Sequence, residues 1–225
     1  MWRKRHGIDN GEVRGLRQVV LLLVLAIFLA AKEKEFTPPP VFHARIYAAH
    51  DEHAGEHVTI AADPYGPEKA GIFTTDYHAL GFLPLRVIIS NDSGGVITIK
   101  DVKIELEMHR RHKREPSSAD DILRRMAAPP PDQGGHFPLP IPLPKHKGNS
   151  KLSRAQNEIE AAQLKALAVE PGKTAAGFAF FDVAGIIDPL EGATLYVSGV
   201  RDAEGKELFF FEIPLTAASA DSMKH

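Results

Sequence analysis

The chain contains no cysteine in 225 residues. Disulfide bonds, thiolate metal ligands, thiol nucleophiles and cysteine-linked lipid anchors are therefore excluded. The sequence also lacks an uninterrupted apolar run of the roughly 18 residues or more that is typical of a membrane-spanning helix. A strong surplus of either charge is absent too, since 27 lysines and arginines stand against 29 aspartates and glutamates. Nucleic-acid binding, which needs a concentrated basic face, is not expected.

The N-terminal region has the pattern of an export signal. Residues 3–5 are basic, and residues 19–31 form a run of thirteen apolar side chains. This arrangement predicts that the rest of the chain lies outside the cytoplasm, in the periplasm or cell envelope. Thirteen helical residues span about 20 Å, less than the roughly 30 Å hydrocarbon core of a bilayer, which favours a removable signal. Because Leu29 occupies a position near the end of the run where cleavage prefers a small residue, an inner-membrane anchor at 19–31 is the alternative.

Composition divides the chain into segments. Residues 1–31 form the signal or anchor, residues 32–40 a polar, proline-rich linker, and residues 218–225 a tail. Between them, residues 41–217 contain about nine short segments with period-two alternation, separated by turn signals. The pattern predicts a mainly β fold, an antiparallel sandwich that forms one domain.

The strand predictions differ in detail. The clearest strand has Val102, Ile104, Leu106 and Met108 facing the core, with charged residues between them. The alternation of residues 42–48 predicts a strand that forms a hairpin with residues 57–62, and residues 96–99 are expected to return along the strand at 83–89. The last strand is expected to place Phe209, Phe211, Ile213 and Leu215 on its core face, and the phenylalanines at 178, 180, 181 and 209–211 are interpreted as core.

The segment 110–164 interrupts the strands with two helices and a proline-rich stretch. Ser118 has the position of an N-cap for a helix at 119–127, and apolar spacing predicts a second helix at 151–164. The stretch between them holds seven prolines and favours an extended polyproline conformation. In that stretch the apolar residues that alternate with proline, a strip suited to binding a partner, are Leu139, Ile141 and Leu143. The alternative is a spacer that packs on its own sandwich.

Two segments have a recurring strand and turn pattern. Residues 83–99 comprise a hydrophobic strand ending in asparagine, a polar turn and a returning strand, and residues 169–183 contain a Pro-Gly turn followed by a Gly-x-x-Phe-Phe strand. In these features the chain resembles the immunoglobulin-like sandwich domains of bacterial exported proteins of unknown function. The resemblance implies a fold and a compartment without an activity. Antibody-type domains are excluded, because the chain has no cysteine pair and its one tryptophan is Trp2.

The richest cluster of potential ligands is the predicted hairpin turn at 50–57. It contains His50, His53 and His57 together with acidic residues, and imidazole suits Zn(II) or Cu(II). The alternative is a hydrated polar turn. Residues 53–57 also match the H-x-x-E-H string of inverted zinc peptidases, but Gly55 and the strand that follows disfavour the helix which that chemistry requires, so the match is interpreted as coincidental.

These observations favour a non-enzymatic, exported envelope protein without a cofactor, which acts through contacts with an unidentified envelope protein. The 110–164 segment is the predicted contact surface. The alternative function is a periplasmic divalent-metal binding protein that uses the hairpin histidines. Contact with the membrane is expected only through residues 19–31 if they are retained.

Overall fold

The computed structural model describes residues 36–108, 112–128 and 150–215. In these ranges the chain forms two four-stranded antiparallel sheets. The first has the order β1-β2-β3-β8, with β1 at Ala49–His53, β2 at Val58–Pro64, β3 at Phe82–Asn91 and β8 at Lys173–Asp182. The second has the order β10-β9-β5-β6, with β10 at Phe211–Pro214, β9 at Thr194–Ser198, β5 at Lys103–Met108 and β6 at His112–Arg114.

A third pair joins β4 (Ile97–Thr98) to β7 (Ala168–Val169), and the described residues include two α-helices, α1 at Ala119–Ala127 and α2 at Ser150–Ala162. The prediction of a mainly β fold with antiparallel sheets is thus confirmed. Within the described ranges, no helix combines the length and the apolar character needed to cross a membrane.

The main core lies between the two four-stranded sheets. Because side chains alternate along a strand, one face of each sheet supplies the apolar residues. They include Leu85, Val87, Leu106, Val197 and Phe211, each at most 1% exposed. On β5 the predicted alternation is confirmed, with Leu106 and Met108 buried and Ile104 packed at the margin.

The outer face of the first sheet is covered as well. A second apolar cluster packs there, and its members come from the 36–82 region, both helices and β8: Phe36, Tyr65, Phe73, Tyr77, Phe82, Ile122, Ile159, Ala162, Phe178 and Phe180. Ala44 and Ala61 pack against Ile88 on the same face, and every residue of β3 is buried. Phe178 and Phe180 face this cluster while Phe181 faces the main core, as the alternation predicted.

Both predicted helices are confirmed. The hydroxyl oxygen of Ser118 accepts a hydrogen bond from the Asp121 backbone N–H at 3.1 Å, which caps α1 as expected. The apolar stripe of α2 buries Ala155, Ile159 and Ala162. The helices of the 110–164 segment therefore belong to the packed body.

The predicted strand at 42–48 is wrong. Residues Ala44–Ile46 form a 3₁₀ turn, and the hairpin is built instead from β1 and β2. The Ala44 backbone N–H donates to the Ser90 hydroxyl at 2.8 Å, which holds the segment against β3 as a strap. Only Ala44 is buried there, whereas Ile46 is 67% exposed, so the apolar alternation does not correspond to a core face.

Two further predictions about strands are corrected. Residues 96–99 do not return along β3, because the Asn91 side-chain amide donates to the Gly95 and Val169 carbonyls and β4 pairs with β7. Phe209 is not a core residue. It is 78% exposed and Phe210 is 52% exposed, because the chain joins the sheet only at Phe211.

Arg86 connects the sheet to the segment that precedes it. This arginine lies on β3, is 3% exposed, and donates to the Pro39 carbonyl at 2.8 Å and the Pro40 carbonyl at 3.2 Å. Pro39 and Pro40 have no N–H, so their backbone can form hydrogen bonds only through the carbonyls. Residues 36–40 are therefore attached to the first sheet. Residues 1–31 and 218–225 lie outside the described ranges.

Candidate functional site

The three histidines predicted as metal ligands lie at different positions of the β1–β2 hairpin. His50 pairs with Ala61 and His53 pairs with Val58 on adjacent strands. Because they are three positions apart on one strand, their side chains lie on opposite faces of β1. His57 occupies the turn in a left-handed conformation with φ 54°. The structure thus separates His50 from His53, and residues 53–57 form a strand end and a turn instead of the helix of a zinc peptidase.

Two of the imidazoles already have close neighbours. His50 Nδ1 lies 2.7 Å from the Tyr47 carbonyl oxygen. His53 stacks on Phe211 with ring centroids 3.9 Å apart, and its Nδ1 lies 2.8 Å from a Glu56 carboxylate oxygen. Among residues 36–108, 112–128 and 150–215, no group of three or more histidine, aspartate or glutamate side chains is arranged to hold a metal ion.

The inner side of β1 forms a seam with β10 of the second sheet. An Asp51 carboxylate oxygen accepts a hydrogen bond from the Glu212 backbone N–H at 2.9 Å, next to the His53–Phe211 stack. Pro214, further along β10, has no N–H to offer. These contacts close the sandwich on this side and leave the edge of β10 poorly suited to pairing with another strand.

The outer side of β1 carries ion pairs with the strap. Arg45 donates two hydrogen bonds to the Glu52 carboxylate, at 2.9 and 2.7 Å, and the same hydrogen bonding lowers the pKa of Glu52. His43 Nε2 lies 2.9 Å from Asp92. Arg45 thus joins the strap to the hairpin and His43 joins it to the loop after β3, and both roles are structural.

Another group of charged residues lines an open groove of about 470 Å³ beside α1. Arg125 donates two hydrogen bonds to Asp182 and lies over the ring of Phe82, 4.5 Å from its centroid. The hydrogen bond from Arg125 is the main cause of the lowered pKa of Asp182. The groove's principal charges therefore satisfy each other and join α1 to β8.

The outer face of the second sheet carries a different arrangement, which we call the Tyr196 face, comprising Tyr196, Phe210, Glu105, Glu107, Lys113 and Glu212. Tyr196 on β9 pairs directly with Glu105 on β5 and with Glu212 on β10. The Lys113 ammonium lies 5.1 Å from the centre of the Tyr196 ring and 3.6 Å from a Glu105 oxygen.

The aromatic part of the Tyr196 face extends toward β10. The Phe210 ring lies 6.3 Å from the Tyr196 ring, and neither Phe210 nor the adjacent Phe209 is buried. Partial burial raises the pKa of Tyr196, and the charges of Glu212 and Glu107 raise it further. Two rings and several carboxylates thus share one accessible surface.

Sequence reasoning did not find the Tyr196 face. One signal was present, because three consecutive phenylalanines at 209–211 cannot all face the same side of a strand. The proximity of Glu105 and Glu212 to Tyr196 depends on the register of β5, β9 and β10, which the sequence does not reveal. The other predicted contact site, the strip of Leu139, Ile141 and Leu143, lies outside the described residues.

Comparisons with known proteins give no family. No family model matches the chain, and neither a curated protein nor a solved structure is significantly similar to it.

Proposed function

We propose that this chain is an exported, non-enzymatic, immunoglobulin-like sandwich that acts in the cell envelope by binding another protein through its Tyr196 face. The basic head and the apolar run at 19–31 support export. The antiparallel two-sheet architecture supports the sandwich class.

The observation that carries the proposal is the difference between the two sheets. The central strand β3 of the first sheet is buried on both faces and only the edge strand β1 has exposed outward side chains there, whereas the outward side chains of the second sheet are exposed or half-buried. On this accessible face Phe210 is 52% exposed, and Phe209 beside it is 78% exposed. Exposed aromatic residues grouped with polar side chains are typical of protein interfaces.

The location differs from the predicted contact surface at 110–164. The inner faces of α1 and α2 are occupied, because Ile122 and Ile159 are fully buried against the first sheet. Partner binding by Leu139, Ile141 and Leu143 stays a prediction. Deletion of residues 138–144 would remove this strip without changing the Tyr196 face, so it tests the two binding surfaces separately.

Site-specific photo-crosslinking in cells tests the proposal. A photoreactive phenylalanine analogue at Phe210 is expected to give a discrete cross-linked species, whereas the same analogue at Ile187, a loop residue that is 89% exposed, is expected to give none. Because both positions are exposed, neither substitution should lower the melting temperature. Equal labelling from the two positions would show that the Tyr196 face is not a specific interface.

The alternative, a periplasmic Zn or Cu binding protein, is tested by calorimetric titration of the full chain with each metal. Micromolar binding that disappears in a His50→Ala, His57→Ala double variant would support it. Such binding would require His50 to leave the Tyr47 carbonyl or to coordinate through its other nitrogen. Without binding at pH 7.5, the hairpin is a structural turn.

A further inference from the structure

Tyr196 divides its face into two halves of similar chemistry. Glu105 lies opposite Tyr196 on one neighbouring strand and Glu212 lies opposite it on the other. Residues paired in this way have Cβ atoms about 5 Å apart on one face of the sheet. Each half therefore presents a carboxylate beside the same aromatic ring.

The half on the β5 side already binds a cation. Lys113, which reaches in from β6, has its ammonium group 3.6 Å from Glu105 and 3.9 Å from Glu107. The same group lies 5.1 Å from the centre of the Tyr196 ring. Two carboxylates and a ring face are a favourable environment for a primary ammonium or a guanidinium.

The half on the β10 side has one carboxylate where the β5 side has two, and it adds a second ring. Glu212 supplies the carboxylate, and Phe210 adds a ring inclined at 47° to that of Tyr196. Within the part of the chain that the structure describes, the Glu212 carboxylate takes part in no ion pair. Its backbone N–H is bound by Asp51, so the strand that carries this side chain is fixed in place.

We propose that the partner inserts an arginine or lysine side chain into this second half, where it pairs with Glu212 and packs on Tyr196 and Phe210. The inference rests on the proposed function, since it specifies the chemistry of the partner. Arginine suits the position best, because its planar guanidinium stacks on rings while it donates to a carboxylate. The partner segment is therefore basic, complementary to the carboxylates of the Tyr196 face.

The test uses the full chain in detergent and a defined peptide, acetyl-Gly-Arg-Gly-Arg-Gly-amide, with a citrulline version as the neutral control. Nuclear magnetic resonance titration is expected to show saturable shifts at Glu212, Tyr196 and Phe210 with the arginine peptide alone. Glu212→Gln should weaken binding about three- to tenfold, as expected for an exposed pair with an aromatic contact. The matched control is Glu160→Gln, an exposed change on α2, which should leave binding unchanged. The inference would be overturned if the two peptides bind equally well, or if Glu212→Gln binds the arginine peptide as tightly as the unmodified chain does.

Lys113→Gln provides a gain-of-binding test. The substitution vacates the β5 half, where Glu105 and Glu107 lie beside the Tyr196 ring, so the arginine peptide should bind more tightly. Unchanged affinity would show that carboxylates beside this ring do not bind arginine and would contradict the inference.

Two outcomes separate this inference from the proposed function. If the Phe210 cross-link persists in Glu212→Gln and the arginine peptide does not bind, the face is a protein interface whose partner is not cationic. If a tetramer of N-acetylglucosamine shifts the Tyr196 and Phe210 resonances equally with and without Glu212, the ligand is a glycan. Both the cationic partner and the proposed protein partner would then be wrong.

Discussion

The Glu158 carboxylate on α2 accepts a hydrogen bond from the Tyr77 hydroxyl at 2.9 Å, and both residues are buried, at 4% and 1% exposure. The same carboxylate accepts from the backbone N–H groups of Thr74 and Thr75 and from the Thr74 hydroxyl. A buried carboxylate is tolerated when its oxygens are fully hydrogen-bonded. This cluster fixes α2 to the loop that precedes β3.

Glu158→Gln is expected to destabilise the fold. The amide nitrogen of glutamine cannot accept a hydrogen bond, so donors from Thr74 or Thr75 lose their partner at a cost of about 1–3 kcal/mol each. Denaturant unfolding measures the loss. Glu160→Gln, two positions along and exposed, serves as the control and should change stability by less than about 0.5 kcal/mol. Similar stability of the two variants would contradict the role assigned to Glu158.

Alkaline pH should weaken the same region. Burial, and the neighbouring Glu158 charge, raise the pKa of Tyr77, so the folded state favours the neutral phenol. The contribution of Tyr77 to the free energy of unfolding is therefore fully present below about pH 10, the ordinary tyrosine pKa, and is lost as the pH rises above it. Tyr77→Phe is expected to be less stable at pH 8 but to lose stability less steeply between pH 9 and 11. Parallel curves for the two proteins would refute the assignment.

Acid should weaken the contact between α1 and β8. The hydrogen bond from Arg125 lowers the pKa of Asp182, so its contribution is present above about pH 3.9 and is lost as the pH falls below that value. Both side chains are more than one-third exposed, so the pair is worth less than about 1 kcal/mol at neutral pH. Asp182→Asn should therefore flatten the acid limb of a stability curve measured from pH 5 to 2, and an unchanged limb would exclude this pair as its source.

The seam between β1 and β10 depends on an acceptor at position 51. Asp51→Ala removes the oxygen that binds the Glu212 N–H and should cost about 0.5–1.5 kcal/mol, whereas Asp51→Asn keeps an oxygen and should cost less. Amide hydrogen exchange at Glu212 reports the contact directly, and it should accelerate in the alanine variant. Equal exchange rates in all three proteins would show that the seam does not protect this amide.

The core face of β5 can be tested by charge. Leu106→Asp places an unpaired carboxylate at a position with 0% exposure and should cost several kcal/mol or prevent folding. Ile104→Asp, at the half-buried margin of the same face, should cost less. The thermal unfolding midpoints of the two variants give the comparison, and the reverse order would show that the register of β5 is wrong.

Sequence patterns predict correctly those elements that depend on residues close together in the chain. The alternation of β5, the Ser118 cap and the split of Phe180 from Phe181 were all readable, because each depends on neighbours within one turn or one strand. The immunoglobulin-like detail and the exported location stay predictions.

Contacts between distant segments could not be read in this way. The alternation at 42–48 resembles a strand, but a hydrogen bond to Ser90, 46 positions away, sets its conformation. Likewise β3 is buried on both faces because distant segments cover it, namely the second apolar cluster and Ala44 of the strap. The Tyr196 face was missed for a related reason, since glutamates that alternate with apolar residues indicate an ordinary solvent-facing surface until register places them beside an aromatic ring.

The hydrogen bonds from Arg86 to the Pro39 and Pro40 carbonyls have a mechanical consequence. Tension applied to the chain ahead of Phe36 reaches an arginine on a strand flanked by β2 and β8 before it reaches an edge of the first sheet. We therefore expect force from this side to load the middle of the first sheet, where the hydrogen bonds of β3 to β2 and β8 share it, before it loads the edge strand β1.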